Sequence, residues 1–102
     1  MTDDSSLPLT EQSFTASTPD GSVFVRVSVR GQVLGVQLES GATARPGHEL
    51  AERIIACADV AYLEGQVAVR TEWERARMAP DTLEGMPTAD DLAQARDRLK
   101  RL

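Results

Sequence analysis

Hydrophobic and polar residues alternate along the first part of the chain, a pattern that predicts β-strands. Valines occupy every second position from 23 to 29, and because successive side chains of a strand point to opposite faces, the valine face is expected to be buried. A shorter strand is predicted over 13–17, joined to the valine strand by the turn sequence TPDG at 18–21. After a second turn around Gly31, the pattern continues with Leu34, Val36 and Leu38 on one face. These signals predict a three-stranded antiparallel meander.

The hydrophobic spacing changes to that of a helix after position 47. Proline is absent from 48 to 78, and alanine, leucine, glutamate and arginine dominate there. One broad side of this helix is mostly small or aliphatic and is predicted to pack on the sheet. Its members are Leu50, Ala51, Ile54, Ile55, Ala58, Ala61, Tyr62, Gly65, Ala68, Val69 and Trp73. A second, narrower strip of Val60, Leu63 and Val67 lies nearly opposite, and because one sheet cannot cover both sides, this strip is predicted to meet a partner.

These patterns divide the chain into four segments. Residues 1–12 are polar and acidic and are predicted to be flexible, residues 13–78 form the α+β core, and residues 79–87 form a linker. Residues 88–102 are predicted to be a short helix, because Thr88 is followed three positions later by an acidic residue. Its thin apolar stripe requires docking, either on its own chain or on a partner.

Composition narrows the classes of protein that fit. A 102-residue chain supports one small domain, for which association with a second copy is a natural way to bury more surface. Eleven basic against sixteen acidic residues give a net charge of −5, which makes nucleic acid an unlikely partner. The N-terminus lacks the basic start and apolar stretch of a secretory signal, and no window is long enough to insert in a membrane. We expect a cytoplasmic protein, with export by a non-Sec route left open.

No group of residues in the sequence indicates a catalytic site or a cofactor-binding site. His48 is the single histidine and has no nucleophile beside it in sequence, so a polar residue near the helix start is the simpler interpretation. Cys57 is the single cysteine, which excludes an intramolecular disulfide, and its alanine neighbours indicate a buried, inert thiol. Metal-ligand spacing is absent. We therefore expect a non-enzymatic protein without a cofactor. Frequent alanine and a preference for arginine over lysine indicate an actinobacterial type of source.

More than half of the chain resembles a known family. The segment TASTPDGSVFVRVSVRGQVLGVQLESGATARPGHELAERIIACADVAYLEGQVAVRTEW has a valine-rich strand, a glycine turn, a strand ending in L-x-S and a helix with E-L-A-x-x-I-x-x-x-A-D-x-A. This arrangement resembles the core of the EspD-like proteins of ESX (type VII) secretion, within the wider YbaB-like fold group. The later MPTADDLAQARDRL is similar to the segment that follows that core.

The resemblance implies a YbaB-like fold without its long N-terminal helix, an intertwined or sheet-paired homodimer, and protein partners in a secretion system. It implies a non-enzymatic accessory or chaperone-like protein. The hydrophobic pattern supplies the candidate interaction residues: Phe24 on the open face of its strand, and the helix strip of Val60, Leu63 and Val67. The alternative is a YbaB-like nucleoid-associated protein that binds DNA. The candidate contacts would then be basic residues of the second strand and the last helix: Arg26, Arg30, Arg96, Arg98, Lys100 and Arg101.

Overall fold

The structure is a computed structural model that describes residues 7–102, and it has the predicted α+β architecture. The elements are β1 (Ser13–Ser17), β2 (Val23–Ser28), β3 (Val33–Leu38), α1 (Gly47–Arg75), α2 (Pro80–Leu83) and α3 (Ala89–Lys100). Residues 1–6 lie outside the described part, so the predicted flexible segment 1–12 is described only in its second half, where Leu9–Glu11 forms a 3-10 turn. The predicted linker 79–87 contains the single turn of α2.

The strands form an antiparallel sheet in the order β1-β2-β3, which confirms the predicted meander. In the central strand, Val23, Val25 and Val27 are buried, and Val29 just beyond it is buried too, as the alternation predicted. The bounds of β3 agree with the pattern, and Val36 and Leu38 share a face as predicted, but the start of the strand departs from it. An irregularity in the pairing with β2 puts Val33 opposite Val27 and leaves Leu34 out of the register.

The turn between β1 and β2 is organised around one carboxylate. Asp20 Oδ1 accepts hydrogen bonds from the backbone N–H of Ser22 at 3.0 Å, the Thr18 hydroxyl at 2.7 Å and the Ser22 hydroxyl at 2.8 Å. Arg45 donates to the other oxygen at 3.2 Å. These donors, the Ser22 N–H first among them, hold the pKa of Asp20 well below its ordinary value. Gly21 follows with a φ of 74°, which only a residue without a Cβ adopts readily.

Helix α1 crosses one face of the sheet, and its buried side matches the predicted one only in part. Ala61 and Gly65 are buried as predicted, but Cys57 and Val60 are buried too, whereas Ile55, on the predicted buried side, is 60% exposed. The prediction was wrong in this respect because it assigned the burial of α1 to the sheet alone. Because α3 packs along another side of α1, the most buried part of α1 lies between the side that faces the sheet and the side that faces α3.

Helix α3 packs antiparallel to α1 and completes the core. Its buried residues, Leu92, Ala95 and Leu99, join the same hydrophobic cluster as the sheet valines and Val60. Its start has the predicted cap, in which the Thr88 hydroxyl accepts the Asp91 N–H and the Asp91 carboxylate accepts the Thr88 N–H. The helix therefore docks on its own chain, one of the two alternatives that the sequence left open.

Two arginines form contacts that hold α1, α3 and the segment between them together. Arg96 of α3 forms a salt bridge with Glu64 of α1 at 2.9 Å. Near the other end of α1, the Arg70 guanidinium donates to the carbonyl oxygens of Leu83 and Met86 at 3.1 and 3.2 Å, which ties the connection between α1 and α3 to the side of α1. Arg70 thus provides a charged donor for the Met86 carbonyl oxygen and adds a second donor to the Leu83 carbonyl oxygen, which also accepts the Met86 N–H at 3.1 Å.

Candidate functional site

The predicted interaction strip on α1 is covered by the chain itself. Val60 is only 3% exposed, and Leu63 and Val67 are half-buried and pack against the core cluster that contains α3 residues. The expectation that this strip lies open to a partner is therefore wrong. The reason is that the last helix, which the sequence allowed to dock on either molecule, covers it. Phe24, the remaining candidate, is 39% exposed on the sheet face away from α1.

The basic residues proposed for the DNA-binding alternative do not share one surface. Arg26 lies in β2 on the same face as Phe24, away from the helices, while Arg30 lines a hollow beside α1. Arg96 is already paired with Glu64. The remaining three divide between two sides of α3, with Lys100 beside β1 and the other two, Arg98 and Arg101, beside the start of α1.

Strand β3 has both faces exposed, a feature that the sequence analysis missed. Every residue of β3 is exposed, including Val33 at 51%, Leu34 at 46% and Val36 at 44%. An α-helix about 10 Å wide covers roughly two strands spaced about 4.8 Å apart. Since α1 packs mainly on β1 and β2, it leaves Val36 and Leu38 uncovered although they share the helix-side face with Val25 and Val23.

The outer edge of β3 offers free backbone groups as well. Glu39 N–H donates to the carbonyl oxygen of Ser22 at 2.9 Å, so the residues of β3 whose backbone groups point at β2 are Gln37 and Gly35. Those of Val36 and Leu38 point outward, and no strand among residues 7–102 pairs with them. This exposed, apolar edge is of the kind that pairs with another strand.

A second uncovered surface lies between α1 and α3, on the side away from the sheet. It is a groove of about 630 Å³. Residues of α1 line one side, namely His48, Ala51, Glu52, Ile55, Ala56 and Asp59, and residues of α3 and the end of the chain line the other, namely Ala95, Arg98, Arg101 and Leu102. Most of the surface that lines the groove is carbon. The sequence signal for it was Ile55, which the helical periodicity placed on the buried side.

Cys57 and His48, the residues considered for catalysis or metal binding, lie in ordinary structural positions. The Cys57 thiol is completely buried, as predicted, and burial raises its pKa to about 11. His48 is exposed and is one of the residues that line the groove. Within residues 7–102, no three His, Cys, Asp or Glu side chains come together in a way that could hold a metal ion. The same part of the chain has no helix of the length and apolarity needed to cross a membrane.

Comparison with known proteins identifies a family. Searches of curated proteins and of solved structures gave no match. The family model described as "Protein of unknown function (DUF2694)" matches residues 8–102, almost the whole chain. On this match, the chain belongs to the DUF2694 family.

Proposed function

We propose that this protein is a non-enzymatic accessory or chaperone-like protein of ESX type VII secretion, and that it acts as a homodimer through binding to other proteins. The resemblance of residues 15–73 to EspD-like cores supports the link to secretion. The observation that carries the protein-binding role is the exposed apolar edge of β3, because a solvent-exposed edge of this kind costs solubility unless it is used or covered.

The second copy of the chain is the occupant that this edge fits best. Pairing of β3 with its two-fold mate is antiparallel and joins the outward backbone groups of Val36 and Leu38 into a six-stranded sheet, with both copies of α1 on the same face. The start of one strand then lies beside the end of the other.

Light scattering on purified protein tests the homodimer. The wild-type protein is expected to have the mass of a dimer at micromolar concentration, and Val36→Lys is expected to be a monomer because lysine on an edge strand opposes pairing. Thr15→Lys is the matched control, since Thr15 is an exposed residue of β1, the opposite edge of the sheet, and should leave the dimer intact. A monomeric wild-type protein would contradict the dimer.

A co-purification from an actinobacterial host that encodes this chain tests the role in secretion. Tagged protein is expected to recover components or substrates of an ESX system, and deletion of the chain is expected to lower the amount of an ESX substrate in the cell or the culture medium. Recovery of chromosomal DNA, together with submicromolar duplex binding at about 150 mM salt, would favour the nucleoid-associated alternative instead. Loss of that binding in Arg96→Ala/Arg98→Ala/Arg101→Ala would assign it to α3.

A further inference from the structure

Strand β1 is the other edge strand of the described sheet, and a groove of about 320 Å³ runs along it. Successive side chains of a strand point to opposite faces, so three consecutive residues can line one groove only along the edge of their strand. Thr15, Ala16 and Ser17 do so here. The other wall of this β1 groove consists of helix residues: Val60 and Glu64 of α1, and Arg96, Leu99 and Lys100 of α3.

The backbone of β1 offers hydrogen-bonding groups to the β1 groove. At the end of the strand, Thr18 N–H donates to the Val23 carbonyl oxygen at 3.0 Å, which fixes the alternation of the pairing with β2. Even-numbered residues of β1 therefore direct their N–H and C=O groups at β2, and those of Thr15 and Ser17 point away from it. No strand among residues 7–102 pairs with these outward groups.

We propose that the β1 groove binds one extended segment of a protein partner, which joins the sheet as a fourth strand beside β1 and carries a carboxylate that meets Lys100. The proposal rests on the proposed function in that the partner is a protein. It adds a second site, distinct from the β3 edge, and states the conformation and the charge of the segment that the site accepts.

The position of α3 determines which kind of strand can pair with β1. Packed helices lie about 8–10 Å apart, and neighbouring strands about 4.8 Å. Because α1 lies over β1 and β2, and α3 lies beside α1 along the β1 groove, α3 overhangs the two strand positions next to β1. Either edge strand of a second copy, paired antiparallel with β1, would bring its own α1 to this face and collide with α3. A single extended segment without a helix of its own fits there.

The charges along the β1 groove favour an acidic segment. The Glu64 carboxylate is already paired with Arg96 at 2.9 Å. Lys100 lines the same groove and takes part in no salt bridge within residues 7–102. A carboxylate on the bound segment would pair with Lys100, whereas a lysine in its place would be repelled. Because Lys100 is exposed, the expected difference in affinity is moderate.

Fluorescence anisotropy titrations of synthetic peptides against the full-length protein test the charge of the segment. Each peptide is about seven residues long, an ordinary strand length, and is built from valine and threonine. The first carries a central aspartate and the second a central lysine. The aspartate peptide is expected to bind about fivefold more tightly than the lysine peptide. General attraction to a protein of net charge −5 would instead rank the lysine peptide first.

Two N-methylated forms of the aspartate peptide test the backbone pairing. A strand directs alternate N–H groups to its two edges, and only one edge can pair with β1. Methylation of the amides on that edge is expected to weaken binding at least about tenfold, and methylation of those on the other edge should leave the affinity nearly unchanged. Weakening by both modifications, or by neither, would exclude binding as an added strand.

Variants of the protein assign the binding to the β1 edge. Thr15→Pro removes an outward N–H donor without breaking a hydrogen bond to β2, and is expected to weaken the aspartate peptide at least about tenfold. Thr15→Val is the matched control, because it keeps the donor, and should leave the affinity unchanged. Lys100→Glu, at an exposed position, is expected to reverse the preference in favour of the lysine peptide. This reversal decides the proposal even if Thr15→Pro does not fold.

Several outcomes would overturn the proposal. Equal affinities for the aspartate and lysine peptides, or no saturable binding by either, would exclude an edge that selects an acidic segment. If Thr15→Pro changed the mass of the protein alone in light scattering, a second copy would occupy the β1 edge. If deletion of residues 1–6 raised the affinity at least about tenfold, the occupant would be the chain's own N-terminus. The dimer fails separately, since Val36→Lys decides it, whereas the variants of Thr15 and Lys100 decide the β1 groove.

Discussion

Replacement of Gly65 by alanine probes how closely α1 approaches the sheet. Gly65 is buried in the middle of α1, and a Cβ added there would lie 3.0 and 3.2 Å from two ring carbons of Phe14 on β1. Carbon atoms in favourable contact are about 3.5–4.0 Å apart, so the ring would have to move. The Phe14 ring is half-buried and packs against the core cluster, which limits its freedom to do so.

Two opposing effects set the expected magnitude. Alanine is favoured over glycine inside a helix by about 1 kcal/mol. An additional methyl group in a well-packed region costs about 1–3 kcal/mol. The difference predicts that Gly65→Ala destabilises the protein by about 0–2 kcal/mol, although the same change in an open helix would stabilise it. In a domain of this size, 1 kcal/mol corresponds to a change of about 4–8 °C in Tm.

A double-mutant cycle measured by urea denaturation separates the two effects. In a Phe14→Val background the ring is absent, so Gly65→Ala is expected to raise the free energy of unfolding by about 1 kcal/mol. The coupling between the two positions should then clearly exceed the roughly 0.3–0.5 kcal/mol found for independent sites. If Gly65→Ala changed the free energy of unfolding equally in both backgrounds, the close packing of α1 on Phe14 would be refuted.

Three further predictions address the core, the first turn and the thiol. Val27→Asp is expected to prevent folding, because a buried, unpaired carboxylate costs several kcal/mol. Ser28→Asp, in contrast, keeps an acceptor for the backbone N–H of the following turn. Equal thermal stability of the two variants in circular dichroism melts would contradict the assigned inward face of β2. Because the folded-state pKa of Asp20 lies below its value in the unfolded chain, the stability that this carboxylate contributes is present above about pH 4 and is lost as the pH falls. Asp20→Asn should therefore flatten the acid side of the stability profile, and an unchanged acid dependence would count against the turn network. Cys57 should resist a thiol reagent at neutral pH, and the thiol added by Ile55→Cys should react rapidly; labelling of both at one rate would show that the core is open.

The sheet could be predicted from the sequence because its signals are local. The alternation from Val23 to Val29 and the TPDG turn determine the inward face and the pairing of β1 with β2 without reference to the rest of the chain. The irregularity at Leu34 could not be predicted in the same way. It depends on how β3 fits its neighbour, and the run of apolar residues there is compatible with either register.

The surfaces were harder to predict because they depend on which elements lie next to one another. Val60 and Ile55 are both aliphatic residues of α1, and only the position of α3 decides that Val60 is covered and Ile55 is exposed. The exposure of Val36 likewise follows from the width of one helix over three strands. Helical periodicity locates an apolar side to within a fraction of a turn, which is too coarse to choose between such neighbours.

The docked α3 means that the chain cannot be divided at its linker into a folded domain and a dispensable tail. Leu92, Ala95 and Leu99 fill the same core as the sheet valines, so a fragment that ended near residue 80 would expose that core. A protease cut in the exposed residues just after α1 should have the opposite effect. The two pieces would remain associated through the α1–α3 contact and the Arg96–Glu64 pair, and they would separate only on denaturation, as two halves of one cooperative unit.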